Sequence, residues 1–375
     1  AARKPGDPYQ DRVVHDYQVI LNDPSVSIIC ETMGGNEPAF TFSMQALKAG
    51  KSVCTSNKEL VANHGAELIR TAREHDCNYL FEASVGGGIP IIRPLNSSLT
   101  ADVIVEISGI LNGTTNYMLT KMSREGLNYD DVLKEAQAKG YAELHPEADV
   151  EGYDACRKIA ILTSLVAGKT VDFHKIHTEG IAGIDPTDFA YAKKLDATIK
   201  LLAVSRETED GYQISVAPYL LKKENALAGV NDVFNAVAVC GNTLGDTMFY
   251  GRGAGKLPTA SAVVADVVEC ARHLQKTVGC LWEEGEAKVA DFDSQEGRFF
   301  VRVSKKARAD VEKVFGAVVP VVLDSALEEF AFVTESMQEA EFEKCREQIS
   351  GFVKKISRDV TILNIEKLDD LEKLK

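Results

Sequence analysis

No Cys-x-x-Cys pair occurs anywhere in this 375-residue chain, and no apolar run approaches the roughly 20 residues needed to cross a bilayer as a helix. Positive charge is in deficit: 42 Lys and Arg stand against 56 Asp and Glu, a net charge of −14. That balance argues against nucleic acid and anionic membrane as partners. The eight cysteines (Cys30, Cys54, Cys77, Cys156, Cys240, Cys270, Cys280 and Cys345) are scattered, most of them in apolar runs. The scatter fits reduced, buried thiols in a cytoplasmic, soluble protein better than a disulfide frame or zinc site. Signal segments, long repeats and low-complexity linkers are not visible, and the first residue is Ala rather than Met, which fits a trimmed start. Near the start there is also no G-x-G-x-x-G turn of the kind that seats a pyrophosphate on a helix N-terminus.

What is present has the length for two or three domains. Val26–Glu31 reads as a buried strand, Met33-Gly34-Gly35 as a tight turn and Pro38–Ala49 as a helix closed by Gly50. A second strand, Ser52–Thr55, leads through Ser56-Asn57-Lys58 into a helix over Leu60–His75, and Asn78–Glu82 forms a third strand. This alternation predicts a parallel, doubly wound, Rossmann-like α/β sheet, whose ligands bind beyond the carboxyl ends of its strands. Gly34, Gly35 and Thr55–Lys58 fall at those ends, although each taken singly also fits a plain turn or a solvated helix start. The run Phe81–Pro90 holds Gly86, Gly87 and Gly88, which permit close backbone approach or a flexible crossover.

Further on, Asp102–Ile110 alternates like a strand and ends in Leu111-Asn112-Gly113-Thr114-Thr115-Asn116, followed by a helix over Tyr117–Arg124. Asp130–Lys139 reads as a helix ended by Gly140. Gly140–Lys158 then concentrates Glu143, Glu147, Asp149, Glu151 and Asp154 beside one interior lysine. Over Tyr153–Val166 the residues Ala155, Ile159, Leu162 and Val166 recur at helical spacing, with Asp154 in the first turn and Lys158 four residues on, on the same face. Two readings remain open on spacing alone: a surface ion pair, or an acid/base lysine held by a carboxylate beside a polar substrate. His174-x-x-His177 beside Asp172 is read as a loop entering a strand over Lys175–Ile181, not as a metal site, because i and i+3 side chains of a strand face opposite ways. Asp196–Arg206 is a helix or strand. Tyr212–Lys222, Val233–Gly241 and Thr247–Gly251 are strands of a mixed α+β domain, and Ser261–Thr277 is a helix.

Several of these strings together resemble homoserine dehydrogenase. They are E-T-M-G-G-x-x-P from Glu31, T-S-N-K-E-L-V-A from Thr55, G-I-L-N-G-T-T-N-Y from Gly109, G-Y-A-E and D-x-x-G-x-D-A-x-x-K around Glu143 to Lys158, and G-R-G-A-G-x-L-P-T-A from Gly251. The resemblance runs from about residue 10 to about residue 285. It implies reversible NAD- or NADP-dependent oxidation of L-homoserine to L-aspartate 4-semialdehyde, in threonine, methionine and isoleucine synthesis. It assigns proton transfer to Lys158 with Lys58 beside it. Substrate contacts go to Glu143, Asp149, Asp154, Gly140, Asn112 and Thr114. Cofactor contacts go to Gly34, Gly35, Thr55, Lys58, Gly140, Gly253 and Gly255. A monovalent cation, sodium, is implied on backbone oxygens of Glu82, Val85, Gly87 and Ile89, and a homodimer or tetramer through the second domain. The implied domains are an NAD(P)-binding unit over 1–94 plus 258–285, lacking its first βα unit, and a catalytic and dimerisation domain over 95–257. Leu144-His145-Pro146-Glu147 departs from the family's A-D-P-T, exchanging a carboxylate for His145. The missing glycine-rich turn leaves a second reading, a non-catalytic truncated homologue that keeps the amino-acid pocket and dimer interface.

Beyond Gly297 the pattern changes. Phe299–Val303, Asp310–Phe315, Val318–Leu323, Phe330–Thr334, Met337–Ser350 and Val360–Ile365 read as β-α-β-β-α-β, a ferredoxin-like order. At this place in the family it resembles an ACT domain, over 297–366. The turn Lys306–Asp310 lacks the Pro-Gly such domains carry near their effector, so a structural or dimerising role is expected at least as much as amino-acid sensing.

Overall fold

A computed structural model describes residue 9 and residues 12–323 and 327–358. Its elements in chain order are α1 (Tyr17–Leu21), β1 (Ile28–Glu31), α2 (Ala39–Lys48), β2 (Ser52–Thr55), α3 (Lys58–Glu74), β3 (Tyr79–Leu80), β4 (Ile104–Ile110), α4 (Gly113–Glu125), α5 (Tyr129–Ala138), α6 (Glu147–Val150) and α7 (Tyr153–Ala167). There follow β5 (His177–Thr178), α8 (Pro186–Lys194), β6 (Ala197–Thr208), β7 (Gly211–Lys222), β8 (Phe234–Gly241), β9 (Gly245–Arg252), α9 (Lys256–Arg272), β10 (Glu296–Ser304), α10 (Arg308–Phe315), β11 (Glu329–Val333), β12 (Met337–Gln338), α11 (Glu339–Arg346) and β13 (Phe352–Arg358).

Two sheets carry the fold. In the first, β1, β2 and β3 lie side by side and parallel, with Cys30 opposite Cys54 and Cys54 opposite Leu80. The residues of β2 are buried throughout, as expected of a parallel strand covered on both faces. The second sheet is mixed and runs β11-β10-β13-β7-β6-β4-β8-β9, with β5 beside β7 and β12 beside β10. Its centre is the long hairpin of β6 and β7, paired from Ala197–Lys222 to Thr208–Gly211, which settles 197–208 as strand rather than helix. The last strand among the described residues, β13, pairs in parallel with β7, so the C-terminal segment continues the central sheet instead of hanging from a linker.

Helix α7 crosses the centre of the molecule. Ala155, Ile159, Ile161, Leu162 and Leu165 are buried on it, and each fully buried large aliphatic contributes about 1.5–3 kcal/mol of transfer free energy. The single tryptophan, Trp282, is 1% exposed and lies so close over α3 that a Cβ at Gly65 would fall 2.8 Å from its ring. Its Nε1 donates to Thr170 Oγ1 at 3.0 Å, tying α3 to the segment after α7. All eight cysteines are free; five are buried, Cys280 and Cys345 are half-buried and Cys30 is exposed.

Several sequence boundaries move for identifiable reasons. Helix α4 begins at Gly113 rather than Tyr117, because Asn112 Oδ1 accepts from Thr115 N at 2.9 Å and caps the turn. The third strand stops at Leu80 rather than Glu82. There the Glu82 carboxylate accepts the N–H groups of Ile91, Ile92 and Arg93 at 2.6–2.9 Å and folds the chain back on itself. The strand expected over Lys175–Ile181 shrinks to His177–Thr178, since Asp172 caps a turn at Phe173–Lys175. Helix α9 starts at Lys256, five residues earlier than expected, with Pro258 in a first turn that needs no N–H from it. Helix α8 was not foreseen, although Asp185-Pro186-Thr187-Asp188 is a capping box with proline at the first helical position.

In the C-terminal segment the element expected at Val318–Leu323 is reduced to a single bridge, Val321 to Ala331. Helix α11 is shorter than Met337–Ser350, because Met337 and Gln338 pair with β10 instead. The closing strand is Phe352–Arg358, whereas the expected Val360–Ile365 lies outside the described residues. The order across this part, bridge strand, β11, β10, β13, is that of a β-α-β-β-α-β unit.

Candidate active site

Helix α3, which follows β2, packs against α7, and one carboxylate joins them. Asp154, in the first turn of α7, is 3% exposed. Its Oδ1 lies 2.5 Å from Lys58 Nζ and its Oδ2 2.6 Å from Lys158 Nζ. Lys58 is the first residue of α3, fixed there by the Asn57 side chain, which caps Leu60 N at 3.1 Å. Lys158 also donates to the Leu111 carbonyl at 2.7 Å, at the exit of β4. The α4 cap completes the cluster: Asn112 Nδ2 donates to Asp149 Oδ1 at 2.8 Å and to Asp154 Oδ2 at 2.9 Å.

The charges follow from this packing. Burial alone would raise the Asp154 pKa, but two ammonium groups on its two oxygens hold it far below the usual carboxylate range. Burial pushes Lys158 the other way, below an ordinary lysine. Asp154 partly restores it, while the charge of Lys58 lowers it again. Asp149 is raised by burial and by the neighbouring Asp154 charge, against the Asn112 hydrogen bond. The site therefore offers a fixed anion, a desolvated amine and a second, softer carboxylate. Burial and the Lys58 charge favour the neutral form of this amine, the form that can take a proton from a hydroxyl.

Other expected residues ring this cluster. Thr114 Oγ1 donates to the Tyr141 carbonyl at 2.6 Å, holding the 140–143 turn over the helix start. Gly140 is in the left-handed region with open space where a side chain would begin. Glu143 is exposed on that turn, and Gln137 Nε2 donates to its backbone carbonyl at 3.0 Å. The structure does not bring its carboxylate into the Asp154 cluster through any described hydrogen bond. His145 is 84% exposed and 4.0 Å from Glu147. His177 stacks on Phe292 with ring centroids 3.6 Å apart, and His174 packs on Phe173.

At the strand ends, Thr55 Oγ1 donates to Glu31 Oε2 at 2.6 Å and accepts from Asn57 N at 2.9 Å. Met33 N donates to the other Glu31 oxygen at 2.5 Å, and Asn57 Nδ2 donates to the Gly35 carbonyl at 2.7 Å. These bonds set the Gly34–Gly35 turn open, with no atom within 4 Å of where a side chain would begin at either glycine. Glu31 and Asn57 were not picked out from sequence as site residues; a buried acid ending a strand was the signal available. Gly86 and Gly87 both take positive φ (72° and 56°), and a Cβ at Gly87 would lie 2.4 Å from the Gly253 carbonyl oxygen. Glu82, Val85, Gly87 and Ile89 thus lie in one folded segment against the turn that carries Gly253 and Gly255. Among the described residues, no three His, Cys, Asp or Glu side chains cluster so as to hold a metal ion. An ion in this segment would have to rest on backbone oxygens.

The family model for homoserine dehydrogenase matches residues 90–268, and that for the homoserine dehydrogenase NAD-binding domain matches residues 4–82. The homoserine dehydrogenase of Synechocystis sp. is 39% identical over 378 residues, covering 93% of this chain and 86% of that protein. The chain belongs to the homoserine dehydrogenase family. A solved homoserine dehydrogenase from Thiobacillus denitrificans superposes with a TM-score of 0.85 at 34% identity, covering 92% of this chain and 84% of that one. A hyperthermophilic archaeal homoserine dehydrogenase, solved in complex with NADPH, matches with a TM-score of 0.62 at 30% identity, over 71% of this chain and 77% of that one. As in that family, this chain joins an NAD-binding, Rossmann-like domain to a mixed sheet. Among the described residues, no helix is long and apolar enough to cross a membrane.

Proposed function

We propose that this chain interconverts L-homoserine and L-aspartate 4-semialdehyde, with NAD or NADP, within threonine, methionine and isoleucine synthesis. The observation that carries the reading is the line Lys58–Asp154–Lys158, which places a buried amine at the seam between the nucleotide sheet and the substrate domain. The nicotinamide cofactor, when bound, supplies the hydride chemistry. The open Gly34–Gly35 turn and Thr55 fit its ribose end, with Lys58, Gly140, Gly253 and Gly255 around it. Lys158 takes the γ-hydroxyl proton during oxidation and returns it during reduction. Asp154 and Lys58 orient that amine, while Asp149, Asp154 and Glu143 receive the substrate ammonium. Thr114 and Asn112 shape the pocket floor. Excluding water from Lys158 keeps its neutral form accessible.

Backbone oxygens of Glu82, Val85, Gly87 and Ile89 fit a sodium ion, because the Glu82 carboxylate is already engaged by three N–H groups and Gly87 admits no side chain. Residues 1–94 with 258–285 form the cofactor domain, 95–257 the catalytic and dimerising domain, and 297–366 an ACT-like unit. Strand order in that unit supports the ACT-like reading, and its pairing with β7 favours a structural role. The protein works in the cytoplasm as a homodimer or tetramer.

Homoserine-dependent reduction of NAD and NADP by this chain tests the reading. Turnover with either cofactor is expected. Homoserine binding without turnover would instead support the non-catalytic homologue.

A further inference from the structure

Asn235 is the second residue of β8 and points to the same side of the sheet as Val237 and Val239, into the main core. It is 1% exposed, and neither its Oδ1 nor its Nδ2 has a hydrogen-bond partner among the described residues. An amide buried without partners is costly, and natural cores hold few of them. Its neighbours are not ordinary core. A Cβ at Gly253 would fall 2.0 Å from Asn235 Cγ, so the amide lies flat against the backbone of the Gly251–Gly255 turn. On its other side, Oδ1 lies 3.5 Å from where a Cβ of Gly113 would be, at the first residue of α4. Gly253 in turn touches Gly87 through its carbonyl. Three segments therefore meet around one unsatisfied amide: the start of the substrate helix, the turn leading into α9, and the folded glycine segment after β3.

Nothing in the strand register requires an amide here. Across the ladder Asn235 faces Gly251, and its strand neighbours are the apolar Phe234 and Ala236. Leucine has the same branching and number of side-chain heavy atoms and would carry no unpaired polar group. We propose that Asn235 is a positioning residue whose amide is satisfied in the substrate-bound state, where it fastens the 251–255 turn to the first turn of α4. This rests on the homoserine dehydrogenase reading. The amide touches neither of the lysines, so it acts on the reaction through the two backbones it joins.

The test compares wild type, N235L and the isosteric N235D, by thermal melting with and without L-homoserine and by steady-state homoserine oxidation. For N235L the melting temperature without homoserine rises by about 2–4 °C. Its homoserine-induced shift shrinks, and kcat falls about tenfold or more with KM changed less. N235D, which keeps shape and loses the donor, melts below wild type, because it buries a carboxylate without a partner, and shows the same fall in kcat. A lower melting temperature of N235L with unchanged kcat would overturn the inference, as would unchanged kcat in N235D should N235L fail to fold. Wild type that neither binds nor oxidises homoserine would overturn the functional reading and this inference with it. Active wild type with normal variants would overturn this inference alone.

Discussion

Lys58 and Lys158 hold opposite oxygens of the Asp154 carboxylate, at 2.5 and 2.6 Å. The first residue of α3, within the stretch that matches the NAD-binding domain, is thereby pinned to the first turn of α7, within the stretch that matches the second family model. A single anion both joins the domains and keeps two ammonium groups close together, which their repulsion would otherwise forbid.

Replacing Lys158 by Ala removes the proposed proton acceptor. Loss of general acid–base catalysis typically costs about 10²–10⁴ in rate. The expected result is a fall in kcat of that order with a smaller change in KM, read by steady-state homoserine oxidation. Unchanged turnover would sink the assignment.

Asp154→Asn removes the charge that raises the Lys158 pKa and leaves burial and Lys58 to lower it further. On the proposed role of Lys158, homoserine oxidation needs the neutral amine, so the midpoint of the rise of activity with pH moves to lower pH, alongside a drop in kcat. The Asp154 carboxyl also links to stability. Its folded pKa is depressed, so its contribution is present above the unfolded value near pH 4 and is lost as pH falls through the folded value. Acid melts of the variant should lose that part of the pH dependence.

Lys200, in β6, is 2% exposed and donates to Asn116 Oδ1 at 3.1 Å, Asn231 Oδ1 at 3.2 Å and the Val230 carbonyl. With neutral partners only, burial lowers its pKa to about 8, with the charge of Arg124 adding to the shift. Between about pH 8 and 10.5 the unfolded chain binds the proton that the folded one has released, so this group makes stability rise with pH there, by about 3 kcal/mol in all. Urea melts of wild type and Lys200→Met across that window should differ by this slope. Parallel curves would contradict it.

Arg302, on β10, is 4% exposed and bonds Asp188 at 2.5 Å, Asp185 at 2.9 Å and Glu329 at 2.8 Å, while Lys354 bonds the same two aspartates. The cluster fastens the C-terminal unit to α8. Arg302→Leu removes the cation on Glu329 and leaves Lys354 alone on the two aspartates, and breaking a buried pair of this kind costs about 3–5 kcal/mol. Limited proteolysis should then release the segment after β9 faster than in wild type; equal rates would argue that β13 pairing alone holds it.

Much of this was legible in the chain itself. Strand–helix alternation over 26–82 was legible, but the strand read as buried, β1, is only partly so, with Cys30 exposed, and it is β2 that is buried throughout. The face shared by Asp154 and Lys158 followed from a four-residue spacing, and the strings around Gly34, Asn112, Lys158 and Gly253 carried the family. Capping acts over three or four residues, so Asn57, Asn112 and Asp185 could all have been read, even where the helix starts were placed late or missed.

Burial is the property the chain could not give. The Asp154–Lys158 spacing suits a solvent-exposed pair as well as a buried one. Only the convergence of α7, β4 and α3 dries the pair and shifts both pKa values. Lys58 reaches Asp154 across nearly a hundred residues of chain, and no local pattern encodes that contact. The same holds for Asn235, an ordinary strand residue until Gly113 and Gly253 close on it. Local sequence fixes backbone conformation through short-range sterics and hydrogen bonds. The dielectric and the neighbours that make a lysine basic or neutral arise from elements distant in sequence, and these meet only in the tertiary structure.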